Sequence, residues 1–296
     1  MEFRKVRNLI FVFALLFLRV AIPAETPQLR ICPERTGEPV AKMSIWPPEG
    51  EIVMVSNACN SIAVETFGAR IVSWKKNGEE MLWMPKVREG RIWNHGGIPV
   101  CWPWHGRRSE AGMPIHGLAW AKNFSVVSLR ESPSASVLEL GCGHDALSLV
   151  YRIELTDALK VEMVTKNNGN MPIKVASAIH PYFRIGDIEA ASVNGREFHG
   201  PFDKGFDCKH GDVYAVVDKV LKRKISVCAD KASRFVVWTP WTTMENVSRE
   251  GIAPLDIGEY RNFIAVEPVS DAWKNAKMLA VGETFTYCAS IRVSGL

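Results

Sequence analysis

Residues 159–166 read Leu-Lys-Val-Glu-Met-Val-Thr-Lys. Leu159, Val161, Met163 and Thr165 fall on one side of an extended chain, while Lys160, Glu162 and Lys166 fall on the other. A period of two predicts a strand with one wet face. The turn residues Asn167-Asn168-Gly169-Asn170 follow and predict a hairpin into a second strand over 173–179. Further short β-branched and aromatic runs lie upstream at 62–67, 70–75, 81–84, 124–129, 137–140 and 147–155. Asn77-Gly78 stands between the second and third as a hairpin signal. Downstream the same texture recurs at 225–229, 235–239, 263–266 and 285–293. No long segment carries a 3.6-residue period with caps, so helix is a minor component. Many short strands joined by polar turns predict an all-β fold, a large antiparallel β-sandwich over residues 51–296.

A chain of 296 residues, 47% of them hydrophobic, buries a sizeable core, and β domains of this length often stay undivided. The formal charge of +4 is scattered rather than gathered into a basic stripe, which argues against nucleic acid as a partner. Arg4, Lys5 and Arg7 precede an apolar run over 9–18, and Ala21 and Ala24 follow, the layout of a signal peptide over residues 1–24. That run is short for a membrane span, so export without stable membrane insertion is expected, an uncleaved anchor being the alternative. Residues 25–50, rich in proline, form a leader. Seven cysteines without a C-x-x-C pair leave at least one thiol unpaired within a monomer, the expected state, and imply no particular pairing.

Two titratable residues occupy unusual positions. His180 ends an apolar run and precedes Pro181; Glu267 ends Phe263-Ile264-Ala265-Val266 and precedes Pro268. A residue before proline is pushed into extended conformations, and proline cannot continue a ladder on its N–H side. Each is therefore expected where a strand stops, at a place where a cleft can open. The plainer alternative is a solvent-facing glutamate and a hydrogen-bonded core histidine. The segment from Gly96 to Trp104, with Pro114-Ile115-His116-Gly117 after it, predicts a shaped loop. Its tryptophans, Trp104 among them, either stack on a ligand or close one end of the core. His95, His105, His116 and His180 have no H-x-x-x-H or H-E-x-x-H spacing, which argues against a metal site. No nucleophile elbow, P-loop or dinucleotide fingerprint is present.

Taken in order, Gly68-Ala69-Arg70-Ile71-Val72-Ser73-Trp74, Gly96 through Trp104, His116-Gly117-Leu118-Ala119, His180 through Ile188, Val236-Val237-Trp238 and Val266-Glu267-Pro268 resemble the hexose-6-phosphate mutarotase branch of the aldose 1-epimerase family. The resemblance runs from about residue 50 to the C-terminal end. It implies a galactose-mutarotase-type sandwich with an open cleft, a small-molecule sugar as partner, and no metal or organic cofactor. It also implies that protonated His180 is the acid and Glu267 the base of a ring-opening reaction, with His116 a second donor near the ring oxygen. Asp187 becomes a candidate either to keep His180 protonated or to bind a sugar hydroxyl, and Trp238 a candidate sugar contact. His95 and Trp120 stand where phosphate-acting members carry arginine, and neither reproduces the guanidinium fork. Arg107 and Arg108 are candidates to restore that charge, but an unphosphorylated aldose is the expectation. Two rivals stay open at this level: a carbohydrate-binding protein without catalysis, and a glycoside hydrolase or lyase pairing Asp187, Asp256 or Glu259 with Glu267.

Overall fold

The computed structural model describes residues 50–86, 93–108, 112–247 and 252–296. The expected signal peptide, and all of the leader but its last residue, lie outside the described residues.

The alternation in the opening stretch is realised as Leu159–Asn167, a strand inside a nine-stranded antiparallel sheet between Leu147–Leu155 and Thr284–Gly295. Leu159, Val161, Met163 and Thr165 are buried, and the residues between them are half-buried or exposed. A second, six-stranded sheet runs in the order Phe202–Asp207, Arg234–Thr239, Phe263–Val269, Ala178–Ile179, Val100–Cys101, with Tyr182–Arg184 also paired to Phe263–Val269. Phe235, Val237, Ile264 and Val266 from this sheet share one apolar core with Val161, Met163 and Tyr287 from the first. Two buried hydrogen bonds join the layers: Trp102 Nε1–H donates to Thr165 Oγ1 at 2.9 Å, and the Tyr287 hydroxyl donates to the Pro268 carbonyl at 2.7 Å. A four-stranded sheet built from Ile52–Ser56, Asn60–Glu65, Ile71–Lys76 and Glu79–Glu80 adds Ile62, Val64 and Trp74 to that core.

The all-β sandwich read from the pattern is thus the fold, and the helical segments among the described residues are short 3-10 turns. No helix there is long and apolar enough to cross a membrane. Cys59 is disulfide-bonded, while Cys101, Cys142, Cys208, Cys228 and Cys288 are free.

Three local expectations are corrected. Asn77-Gly78 does turn a hairpin, but its second arm is only Glu79–Glu80, and 81–84 is not a strand. The predicted run 173–179 divides into Ile173–Val175 and Ala178–Ile179. Ile173–Val175 pairs with Lys277–Leu279 instead of folding back on Leu159–Asn167. Leu159–Asn167 is already paired on both sides, by Leu147–Leu155 and Thr284–Gly295, and the Asn167 side-chain amide donates to the carbonyls of Met171 and Leu279 beside the turn.

Candidate active site

The proline-flanked residues meet because of strand register. Ala178 pairs with Val269 and Tyr182 with Ala265, so both short strands share one register on Phe263–Val269, and His180 falls opposite Glu267. The interruption between the strands Ala178–Ile179 and Tyr182–Arg184 leaves no ladder partner at this point, so the missing N–H of Pro268 goes unneeded. Glu267 therefore does not end its strand, as the sequence suggested; the strand continues through Pro268 to Val269. His180 is the residue that sits at a strand break.

Alternation along the three neighbouring strands then builds the floor. Ile264 and Val266 point to the core, whereas Glu267 and Val269 line a cleft of about 800 Å³. Arg234, Val236 and Trp238 line it from the next strand, and Asp203 and Gly205 from the strand beyond. Its walls come from the loop after Val100–Cys101, which carries His105 and Arg107, and from the His116-Gly117 turn. Both residues of that turn have positive φ, 59° and 83°. A Cβ on Gly117 would lie 2.3 Å from the Trp102 carbonyl oxygen, so glycine alone permits the close approach that seats His116.

Glu267 is only 2% exposed, and each carboxylate oxygen faces an imidazole. His105 Nε2 lies 2.7 Å from Oε2, and His180 Nε2 lies 3.2 Å from Oε1. Burial raises the Glu267 pKa, the hydrogen bond and charge of His105 oppose the rise, and Asp203 adds to it. Burial holds His180 well below the ordinary imidazole range, reinforced by the neighbouring His105 and His95. This burial disfavours the protonated form expected of His180 as the acid; the ring stacks on Tyr182, and its buried Nδ1 has no hydrogen-bond partner among the described residues. Among titratable groups, a proton held by three coupled partners belongs to the set rather than to one member.

His116 is also held neutral, by burial first and then by the other histidines. The Gly106 N–H donates to its Nδ1 at 3.2 Å, which places the ring proton on Nε2 and makes that nitrogen a donor. His95 lines the cleft, contacts the Tyr182 hydroxyl and the Ala253 carbonyl at 3.1 Å each, and stacks on Trp238; burial pushes its pKa down to about 4. Arg107 also lines the cleft, as expected.

Other expected residues are elsewhere. Asp187 is not among the cleft residues: it caps the turn Ile188–Ala190 by accepting from Glu189 N–H and pairs with Arg261 at the surface. Trp104 is 2% exposed, donates to the Pro114 carbonyl and meets Trp273 edge-on, so it shapes the loop and offers no face to the cleft. Arg108 stacks over those two tryptophans. Asp256 and Glu259 do not line the cleft, and the Glu259 carboxylate accepts from the N–H groups of Lys86 and Asp256. The four histidines converge, but among the described residues no group of three His, Cys, Asp or Glu side chains is arranged to hold a metal ion.

Sequence reasoning missed Asp203, Arg234 and the contact of His105 with Glu267. Asp203 and Gly205 sit in Phe-Asp-Lys-Gly-Phe-Asp, whose alternation of Phe202, Lys204 and Phe206 with Asp203, Gly205 and Asp207 was available as a signal. A Cβ on Gly205 would lie 1.7 Å from Arg234 Nη2, so the bare glycine is the berth for that guanidinium. Arg234 Nε is buried and has no hydrogen-bond partner among the described residues.

The large antiparallel sandwich is the fold of solved galactose mutarotase-like proteins. The family profile of aldose 1-epimerases matches residues 51–204, and the chain belongs to that family. It is an isomerase that interconverts the anomers of a hexose. A Salmonella typhimurium protein provisionally named glucose-6-phosphate 1-epimerase is 29% identical over 253 residues, covering 74% of this chain and 83% of the relative. An Escherichia coli protein of the same name is 29% identical over 254 residues, 74% of this chain and 83% of that one. Among solved structures, a provisional mutarotase from Salmonella typhimurium superposes with a TM-score of 0.73 at 20% identity, covering 83% of this chain and 90% of its own. A galactose mutarotase-like protein from Clostridium acetobutylicum gives 0.65 at 12% identity over 84% and 96%.

Proposed function

We propose that Glu267 is the base and His180 the acid of ring opening, and that the sugar is a hexose 6-phosphate. The observation that carries the assignment is the buried Glu267 carboxylate held between His105 and His180. A hemiacetal opens when the anomeric hydroxyl loses a proton as the ring oxygen gains one; doing both together avoids a charged intermediate. Glu267 takes the C1 hydroxyl proton, the C1–O5 bond breaks, and the electron pair left on O5 takes a proton from His180. The set His105, Glu267 and His180 carries one proton beyond an ionised carboxylate and two neutral rings; that proton resides on His180 when O5 is protonated, so His180 gives it up as an imidazolium and returns to a neutral ring, while Glu267 ends protonated. Rotation about C1–C2 and the reverse transfers close the ring as the other anomer. His116, through Nε2–H, is a second donor to the sugar.

The substrate reading rests on Arg234. Val236 pairs with Glu267, and Arg234 lies two residues further along the same strand. At about 3.3 Å per residue and about 4.8 Å between strands, the two Cα positions are about 8 Å apart, comparable to the span of a hexose ring with its exocyclic group. The sequence expectation of an unphosphorylated aldose rested on the arginines absent at His95 and Trp120; Arg234, together with Arg107, puts positive charge into the cleft from other positions. The names of the curated relatives point the same way. NMR exchange between anomers of glucose, galactose and glucose 6-phosphate tests it. The phosphorylated sugar is expected to be preferred, and Arg234→Met to raise its KM about 10–100-fold, the loss of a charge-assisted hydrogen bond, while leaving glucose turnover unchanged. A preference for free glucose, or an equal effect of the variant on both sugars, refutes the phosphate reading.

We further propose export, on the strength of the N-terminal charge and apolar pattern and the disulfide at Cys59, which suits an oxidising compartment. Intact mass of the processed protein is expected to fall by the first 24 residues or close to it; a full-length mass from an exporting host refutes cleavage.

A further inference from the structure

The cleft contains more histidine than the acid and base roles require, and His105 is the member in direct contact with the base. Its Nε2 is 2.7 Å from Glu267 Oε2, the shorter of the two imidazole contacts to that carboxylate. The His105 side chain is 14% exposed, against 6% for His180, so it stands on the side of the carboxylate nearer to water. It reaches there from a loop, after Trp104, and is not part of the sheet that carries Glu267.

We propose that His105 is a positioning residue for the reaction: its Nε2–H holds Oε2 of Glu267 and keeps the carboxylate ionised, leaving the Oε1 edge beside His180 to take the sugar proton. This rests on Glu267 being the base.

The charge balance around Glu267 makes the role necessary. The titratable groups facing Glu267 are His105 from the loop, His180 at its strand break, Tyr182 and Cys101 from the neighbouring strands, and Asp203 from two strands away. Asp203 repels a second negative charge, and neutral Tyr182 and Cys101 offer no compensating one. His180 is held neutral by burial. His105 is itself faced by His116, with ring centroids 4.9 Å apart, and His116 is also neutral. Among the described groups at the carboxylate, His105 is the one whose hydrogen bond and charge oppose the raised pKa of Glu267. A buried carboxylate without such a donor protonates and ceases to be a base.

The sign follows. A base is active above its pKa and fails as pH falls through it, so removing the influence that lowers the Glu267 pKa moves the acidic limb of kcat to higher pH. His105→Phe is expected to shift that limb upward by about 1–2 units, the size of an ion-pair contribution. At pH values below the wild-type limb kcat falls about 10–100-fold, the same 1–2 units read as a rate, with KM within about twofold, and activity returns as pH is raised. His105→Gln, which retains an N–H donor, is expected to recover most of the loss and to place the limb between the other two. Anomer exchange measured by NMR across pH 5–9 with the full-length enzyme reads all of this. A loss independent of pH, a change confined to KM, or an unshifted acidic limb in His105→Phe overturns the proposal. If Glu267→Gln keeps its activity, the base assignment beneath it has failed instead.

Discussion

Glu267→Gln is expected to lower kcat for anomer exchange by about 10²–10⁴-fold, the worth of one positioned proton transfer, with KM nearly unchanged. Glutamine has the volume of glutamate, so the packing that leaves the side chain 2% exposed is retained. The lost property is the capacity to accept a proton from the C1 hydroxyl. Amide and imidazole can still hydrogen-bond, because a glutamine side chain offers both a donor and an acceptor to the ring nitrogens of His105 and His180. Circular dichroism and thermal unfolding should match the wild type, and NMR exchange should show the loss. Retained activity would place the base elsewhere, and Asp203, the carboxylate that raises the Glu267 pKa from across the floor, would be the next residue to replace.

Trp102→Ala is expected to cost about 3–5 kcal/mol, the range for removing a fully buried large aromatic side chain. The indole belongs to the core shared by the two sheets, and its Nε1–H donates to Thr165 Oγ1 on the opposite layer. Truncation opens a cavity and also strands the Thr165 hydroxyl at a position with no exposure. Urea unfolding should show a lower midpoint with an unchanged slope. A cost below about 1 kcal/mol, less than the transfer of a few methylene groups, would mean that the layers are held together by other contacts.

The sheet was legible wherever one face is wet. In 147–155 and 159–166 the alternation of burial follows the alternation of residue type, and the predicted strands agree with Leu147–Leu155 and Leu159–Asn167 to within a residue. It was less legible where both faces are covered or where polar residues serve the cleft. Phe202–Asp207 carries three charged residues in six and was passed over, although one of them, Asp203, lines the cleft. His180 and Glu267 could be found because each precedes proline at the end of an apolar run. Their cross-strand register could not, because it depends on two short strands sharing one partner. Asp187 misled because nearness in sequence to His180 was read as nearness in space; the chain turns at Ile188–Ala190 and uses the carboxylate as a cap. His105 was visible only as one of four histidines without metal spacing, and its loop had to be folded before its partner appeared.

The division of the cleft floor between strands bears on how such an enzyme can change its diet. The buried Glu267 carboxylate belongs to Phe263–Val269, anchored on one side by Tyr182–Arg184 and from the other layer by the Tyr287 hydroxyl on Pro268. Arg234, Val236 and Trp238 present their side chains from the adjoining strand, two residues apart, with backbones fixed by pairing on both sides. Replacements at these three positions can therefore redraw which sugars fit while the proposed base, Glu267, keeps its place, so a change of specificity does not require the floor of the cleft to be rebuilt.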